Sequence, residues 1–155
     1  MKNPMTKGSN HLMKDMKALT APCGLDCFNC QVYEENISEE VKTRMAAQLH
    51  MEADQVPCKG CRAQKGCRLH YTGCATLDCV TAKGVEFCFE CDEFPCPKLQ
   101  PALDGAARYP HNMKVYNLCR IKAVGVEQWA AAEAAEIRQR YFKGKFVVGV
   151  GPTLE

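Results

Sequence analysis

PCKGCRAQKGCRLHYTGCAT, residues 57–76, carries four cysteines and four cations, but its only large apolar side chains are Leu69 and Tyr71. Burying two such groups does not offset the conformational entropy of ordering twenty residues of backbone. A structural metal site supplies about 10 to 16 kcal/mol, whereas one buried leucine gives only about 2. The stretch is therefore expected to be held by ions rather than by an apolar interior.

Working outward, 11 of the 12 cysteines lie between Cys23 and Cys96. They arrive as Cys23, Cys27 and Cys30; Cys58 and Cys61; Cys67, Cys74 and Cys79; and Cys88, Cys91 and Cys96. All eleven are candidate metal ligands. Zinc suits the spacing best, because a C-x2-C turn is half of a tetrahedral thiolate site, and eleven cysteines with one histidine would fill three such sites. Cys58, Cys61, Cys67 and His70 would form one local centre, with an exposed loop position as the other reading of His70.

Iron–sulfur chemistry is the alternative. Cys96 is followed by Pro97, like the ending of ferredoxin-type runs, although the gaps before it differ from that run. Cys23, Cys27 and Cys30 have the C-x3-C-x2-C spacing of radical S-adenosylmethionine enzymes. The alternating strands and helices those enzymes need do not follow here.

The redox compartment decides between ions and disulfides. Lys2, Lys7, Lys14 and Lys17 are not followed by the apolar run of a secretory signal, and no segment approaches the roughly 18 apolar residues of a membrane span. The chain therefore reads as cytoplasmic, without a membrane association, where clustered thiols bind metal more often than they pair. Lys59, Arg62, Lys65 and Arg68 give residues 57–76 a local charge of +4 with no acid among them. These cations are expected to offset anionic thiolate centres. A nucleic-acid surface is the less favoured reading, since no aromatic residues interleave with them.

Residues 1–20 read as a basic, mobile tail, and residues 21–155 as a single cysteine-rich domain. Within it, 21–98 should be metal-binding loops and short helices, and 99–155 a helical pair with an extended C-terminus. Asn36 and Glu39 resemble a capping box ahead of a helix over Ser38–Met51, whose Val41, Met45 and Leu49 stripe should pack on the metal loops. Residues 59–73 should be irregular, and Ala75–Lys83 a helix stopped by Gly84. Phe87, Phe89 and Phe94 read as an apolar cover over the sulfurs. Asn112 should cap a helix carrying Val115, Leu118, Ile121 and Val124 that ends at Gly125; a second helix should run from Val126 through Tyr141 to Gly144. Residues 145–150 have strand composition without an evident partner. Cys119 reads as a small core residue, and Asp26, Asp78, Glu86 and Asp92 as solvated or capping acids.

APCGLDCFNCQVY (residues 21–33), PCKGCR (57–62) and GVEFCFECDEFPCP (84–97) together resemble the bacterial and archaeal cysteine-rich family known as domain of unknown function 3795. The resemblance continues through the helix ending at Gly125 and the 127–129 segment. It implies metal binding and assigns no activity.

The sequence thus predicts a mainly α, small metal-stapled domain with irregular cysteine-rich loops and a C-terminal helical pair. It would bind two or three zinc ions and act as an interaction or regulatory module for an unknown protein partner. An iron–sulfur protein with a redox or cofactor-handling role is the second hypothesis. No Ser/His/Asp set, phosphate loop or dinucleotide fingerprint is present, so no catalytic residue is assigned. An enzyme would need a metal with an open position, and only Cys23, Cys27 and Cys30 suggest one.

Overall fold

Ser38 starts the longest helix of the N-terminal half: its hydroxyl accepts from the Val41 N–H at 3.2 Å, and Glu39 and Glu40 place negative charge in the first turn. A computed structural model describes residues 14–69 and 73–154 and shows a mainly helical chain. Among the described residues the α-helices are α1 (Met16–Leu19), α2 (Glu39–Leu49), α3 (Cys61–Gln64), α4 (Ala75–Lys83), α5 (Lys114–Val124), α6 (Val126–Ala132) and α7 (Ala134–Lys143). A short antiparallel hairpin follows, β1 (Lys145–Val147) paired with β2 (Gly151–Thr153) in the register Phe146 opposite Pro152.

The core is built where α5 and α6 meet the cysteine loops. Trp129 and Leu118 are fully buried, with Leu99, Ile121, Val80, Phe87 and Ala134 around them, and Cys23 and Cys88 belong to the same apolar cluster. Gly24 lets α5 come this close. Its φ is +87°, and a Cβ there would stand 2.8 Å from Leu118 Cγ and 2.9 Å from the Lys114 carbonyl oxygen. Asn117 closes the joint by donating from Nδ2 to the Gly24 carbonyl at 2.8 Å.

Several expectations are corrected. The chain is already folded before Ala21: Asp15 caps α1, and Thr20 is fully buried. Residues 1–13 of the expected tail lie outside the described residues. Asn36 is not a helix cap; its Nδ2 donates to the carbonyls of Phe28 and Cys30 at 2.7 and 3.0 Å, tying down the first cysteine turn. Helix α2 ends at Leu49 rather than Met51 because His50 turns left-handed, and it buries no residue, its Val41 and Met45 being half exposed. The loop after Lys59 contains α3, launched from Gly60. Asn112 caps nothing; it grips Ala102 at both backbone atoms from within a 3-10 turn, Pro110–Met113, that leads into α5.

The expected helical pair is three helices. The second breaks at Glu133 (φ −124°, ψ −38°), whose carboxylate is drawn back to Arg120 of α5 by two hydrogen bonds of 2.7 Å. The C-terminal segment finds its partner strand within the next few residues, beyond Gly149. Two expectations hold closely: α4 spans Ala75–Lys83, and Gly84 ends it in the left-handed conformation at φ +66°.

Candidate metal centre

Backbone bonds draw the cysteine clusters together from distant parts of the chain. The Cys58 N–H donates to the Val32 carbonyl at 2.8 Å and the Glu34 N–H to the Cys58 carbonyl at 2.9 Å, a parallel bridge that sets the second cluster beside the first. The Cys88 N–H donates to the Pro22 carbonyl at 2.9 Å, joining the third cluster to the first from the other side. Cys27 and Cys30 bracket one 3-10 turn, and Cys88 and Cys91 bracket another. The two C-x2-C segments fold alike because each closes an N–H to carbonyl bond across the turn, Cys30 to Cys27 at 3.0 Å and Cys91 to Cys88 at 3.2 Å.

A second local device recurs at the sulfurs. The N–H two residues onward points back to the sulfur at Cys23 from Leu25, at Cys30 from Val32, at Cys67 from Leu69 (3.4 Å) and at Cys91 from Glu93 (3.4 Å). Side chains add to it, with Gln64 Nε2 3.2 Å from Cys58 Sγ and Lys83 Nζ 3.2 Å from Cys91 Sγ. Donors aimed at sulfur stabilise the anionic form that a metal needs.

All twelve cysteines are free thiols, and the eleven clustered ones fall into two neighbourhoods that meet where Cys23 of the first acts on Cys88 of the second. In one, Cys30, Cys58 and Cys67 lie within electrostatic reach of one another and of Cys27, which in turn is hydrogen-bonded to Cys61. That bond makes Cys27 the readier thiolate of the pair and pushes Cys61 up. Burial pushes the Cys67 thiol up to about 12. Cys74 reaches this side through Cys23, whose thiol burial raises and Lys114 draws back down.

In the other neighbourhood, Cys79, Cys88, Cys91 and Cys96 line one cavity of about 20 Å³, walled by Val80 and Phe94. Burial pushes the Cys88 thiol up to about 12 as well. A wider cavity of about 220 Å³ between α5 and α7 contains no cysteine and is lined by Arg120, Glu133, Glu136 and Arg140, paired as two salt bridges.

As the side chains lie, no three cysteine, histidine or carboxylate groups among the described residues stand close enough to hold one ion. The backbone therefore brings three cysteine clusters side by side, with no thiols among the described residues in ligating positions. His70 lies outside the described residues.

Other expectations about the site change. Cys119 is exposed on α5 rather than in the core, since Asn117, Leu118 and Ile121 take the inward face. Asp26 is fully buried, not solvated, and is held by Arg138 and Asn29. Of the four cations expected to offset the sulfurs, Arg62 does act on Cys61, drawing its thiol down, while its Nε donates to the Thr20 carbonyl at 2.8 Å and its Nη2 to the Glu86 carbonyl, with Phe87 beneath it. Further positive charge comes to the sulfurs from Lys83, from Lys114 beside Cys23 and Cys88, and from Arg138 beside Cys27 and Cys30. Lys83 was within reach of sequence reasoning, since it follows Cys79 by four residues on one helix face. Lys114 and Arg138 were not, because only the packing of α5 and α7 brings them there. Phe87 and Phe89 stack on each other at 5.4 Å, with Arg62 over Phe87, and of the three expected aromatics Phe94 lines the cavity of the third cluster.

No helix among the described residues is long and apolar enough to cross a membrane. The sequence profile of the family described as "Protein of unknown function (DUF3795)" matches residues 19–101, the span that holds all the clustered cysteines. No curated protein and no solved structure matches the chain.

Proposed function

We propose, from the premise that the chain belongs to this family of unknown function, that the protein binds two or three zinc ions through its clustered cysteines and uses them chiefly to hold its fold. The observation that carries the reading is the convergence of the thiols: three clusters far apart in sequence are tied side by side by backbone bonds, and donors point at their sulfurs. A chain that exposes so much loop and buries so few large side chains gains from ions what a larger core would otherwise supply. Twelve unpaired thiols suit a compartment that keeps cysteines reduced, which points to the cytoplasm.

The role that follows is an interaction or regulatory module. The C-terminal hairpin supports it, because Phe146 of β1 and Val148 and Val150 of the turn that follows are 77%, 85% and 71% exposed. Exposed apolar side chains grouped in this way mark surfaces used by protein partners.

Elemental analysis and a visible spectrum of the anaerobically purified protein test the reading. Two or three zinc ions per chain and a colourless solution are expected. Iron with acid-labile sulfide, and a brown absorption that bleaches on reduction, would establish the iron–sulfur alternative instead. A metal-free protein that is folded and monomeric would leave neither standing.

A further inference from the structure

We infer that Cys79, Cys88, Cys91 and Cys96 are the complete ligand set of one divalent thiophilic ion, a closed four-thiolate centre of structural character. The inference rests on the metal-binding reading above and adds to it which sulfurs share an ion.

These four side chains line a single cavity of about 20 Å³. That volume is on the scale of one small ion, a single water needing about 10 to 15 Å³ on the same measure. Three local devices deliver the four sulfurs. Cys79 sits in the second turn of α4, Cys88 and Cys91 flank a 3-10 turn, and Cys96 precedes another turn, Pro97–Leu99. The C-x2-C pair is the usual half of a tetrahedral site, and the other two sulfurs come from either side of it.

The surroundings fit the charge of such a centre. Four thiolates on a divalent ion carry a net charge of about −2. Lys83 Nζ already stands 3.2 Å from Cys91 Sγ, and Lys98 lines the same cavity. Val80, Val85, Phe94 and Leu99 supply an apolar remainder of the lining, and Glu93, also on the cavity, pairs with Lys83 at 3.1 Å. Four protein ligands leave no open position for a substrate, which distinguishes a structural centre from a catalytic one. Ligation would release the thiol protons to solvent and fasten α4 to the 88–99 segment. Leu99 of that segment is in the core, and the Cys88 N–H is bonded to Pro22 of the first cluster.

The test uses the full-length protein with zinc as the probe. Zinc content is measured for the unaltered chain, for Cys79→Ser/Cys96→Ser and for Cys119→Ser. Alongside, thiol alkylation of the unaltered chain is followed by mass spectrometry as a chelator is added. The double variant should lose about one ion per chain, the Cys119 variant should lose none, and Cys79, Cys88, Cys91 and Cys96 should become reactive together in one step. If the double variant does not fold, the alkylation pattern of the unaltered chain decides alone. Bound zinc with the four thiols released in separate steps, or with unchanged zinc content in the folded double variant, overturns this assignment and leaves the metal-binding reading intact. An unaltered chain without zinc overturns both.

Discussion

Arg138 closes on both carboxylate oxygens of Asp26 across 112 positions of sequence, Nε to Oδ2 at 2.8 Å and Nη2 to Oδ1 at 2.6 Å. The carboxylate is 0% exposed and the guanidinium 19%, so α7 is anchored inside the C-G-L-D-C segment by a buried, two-pronged ion pair. Asn29 Nδ2 gives Asp26 a third donor at 3.0 Å. Replacing Arg138 by methionine should destabilise the fold by about 3–5 kcal/mol, because it strands a buried carboxylate. The double change Asp26→Leu/Arg138→Met should recover most of that loss. Urea unfolding of the three proteins checks it; equal stability of the unaltered chain and Arg138→Met would show that the pair carries no load.

Gly24→Ala should be more damaging than its size suggests. The position combines a left-handed φ of +87° with backbone contact to α5, where the Lys114 carbonyl oxygen cannot move aside without distorting the helix. A loss exceeding about 1 kcal/mol is expected, opposite in sign to the gain of about 0.4–1 found where alanine fits without strain. Thermal melts decide the sign directly.

Cys119→Ser should change stability by no more than about 0.5 kcal/mol, as is usual for exposed positions without partners in the fold. Trp129→Ala should cost about 3–5 kcal/mol. The contrast follows from position on the helices: Cys119 is exposed, whereas Trp129 is 0% exposed and meets Phe28 edge-on at 6.0 Å. Paired chemical denaturation curves for the two variants test it, and similar midpoints would contradict the assigned faces.

Arg62→Ala should lower stability by about 1–3 kcal/mol, since it removes donors to the Thr20 and Glu86 carbonyls that link α1, α3 and the third cysteine cluster. Binding to single-stranded nucleic acid should be unaffected by the change, the guanidinium being turned inward. A folded Arg62→Ala protein whose nucleic-acid affinity drops, with the salt dependence of a phosphate contact, would restore the basic-surface reading.

Acid should weaken the junction between α6 and α7. Hydrogen bonds from Arg120 hold the Glu133 carboxyl below its usual value of 4.5. A native pKa lowered in this way adds stability that is present above the unfolded value and is lost as pH falls through the native one. Glu133→Gln should therefore melt with a flatter pH dependence between about pH 5 and 3 than the unaltered chain. Parallel slopes would rule out the linkage.

The short-range features were legible in the residues themselves. Gly84 stops α4 because a left-handed cap favours glycine, and C-x2-C turns close because three residues suffice to bring the two ends together. Family membership could likewise be read from C-G-L-D-C, P-C-K-G-C and E-F-P-C in that order. Asn36 and Asn112 misled because an asparagine that caps a helix and one that grips a neighbouring loop look the same in one dimension. Glu133 looked like one more helical residue, since nothing local reveals that Arg120 will pull the chain out of line.

Alone, the sequence determined that this protein is mainly helical, that its cysteines are clustered at ligand spacing and that a large apolar interior is not available to it. Those properties depend on composition and on neighbours a few residues apart. Tertiary structure alone decided which sulfurs share a cavity, that Asp26 is buried and answered by Arg138, and that Lys114 and Arg138 stand near the thiols. Each of these is a meeting between distant segments, governed by how α5 and α7 pack over the loops, and no local pattern encodes that packing.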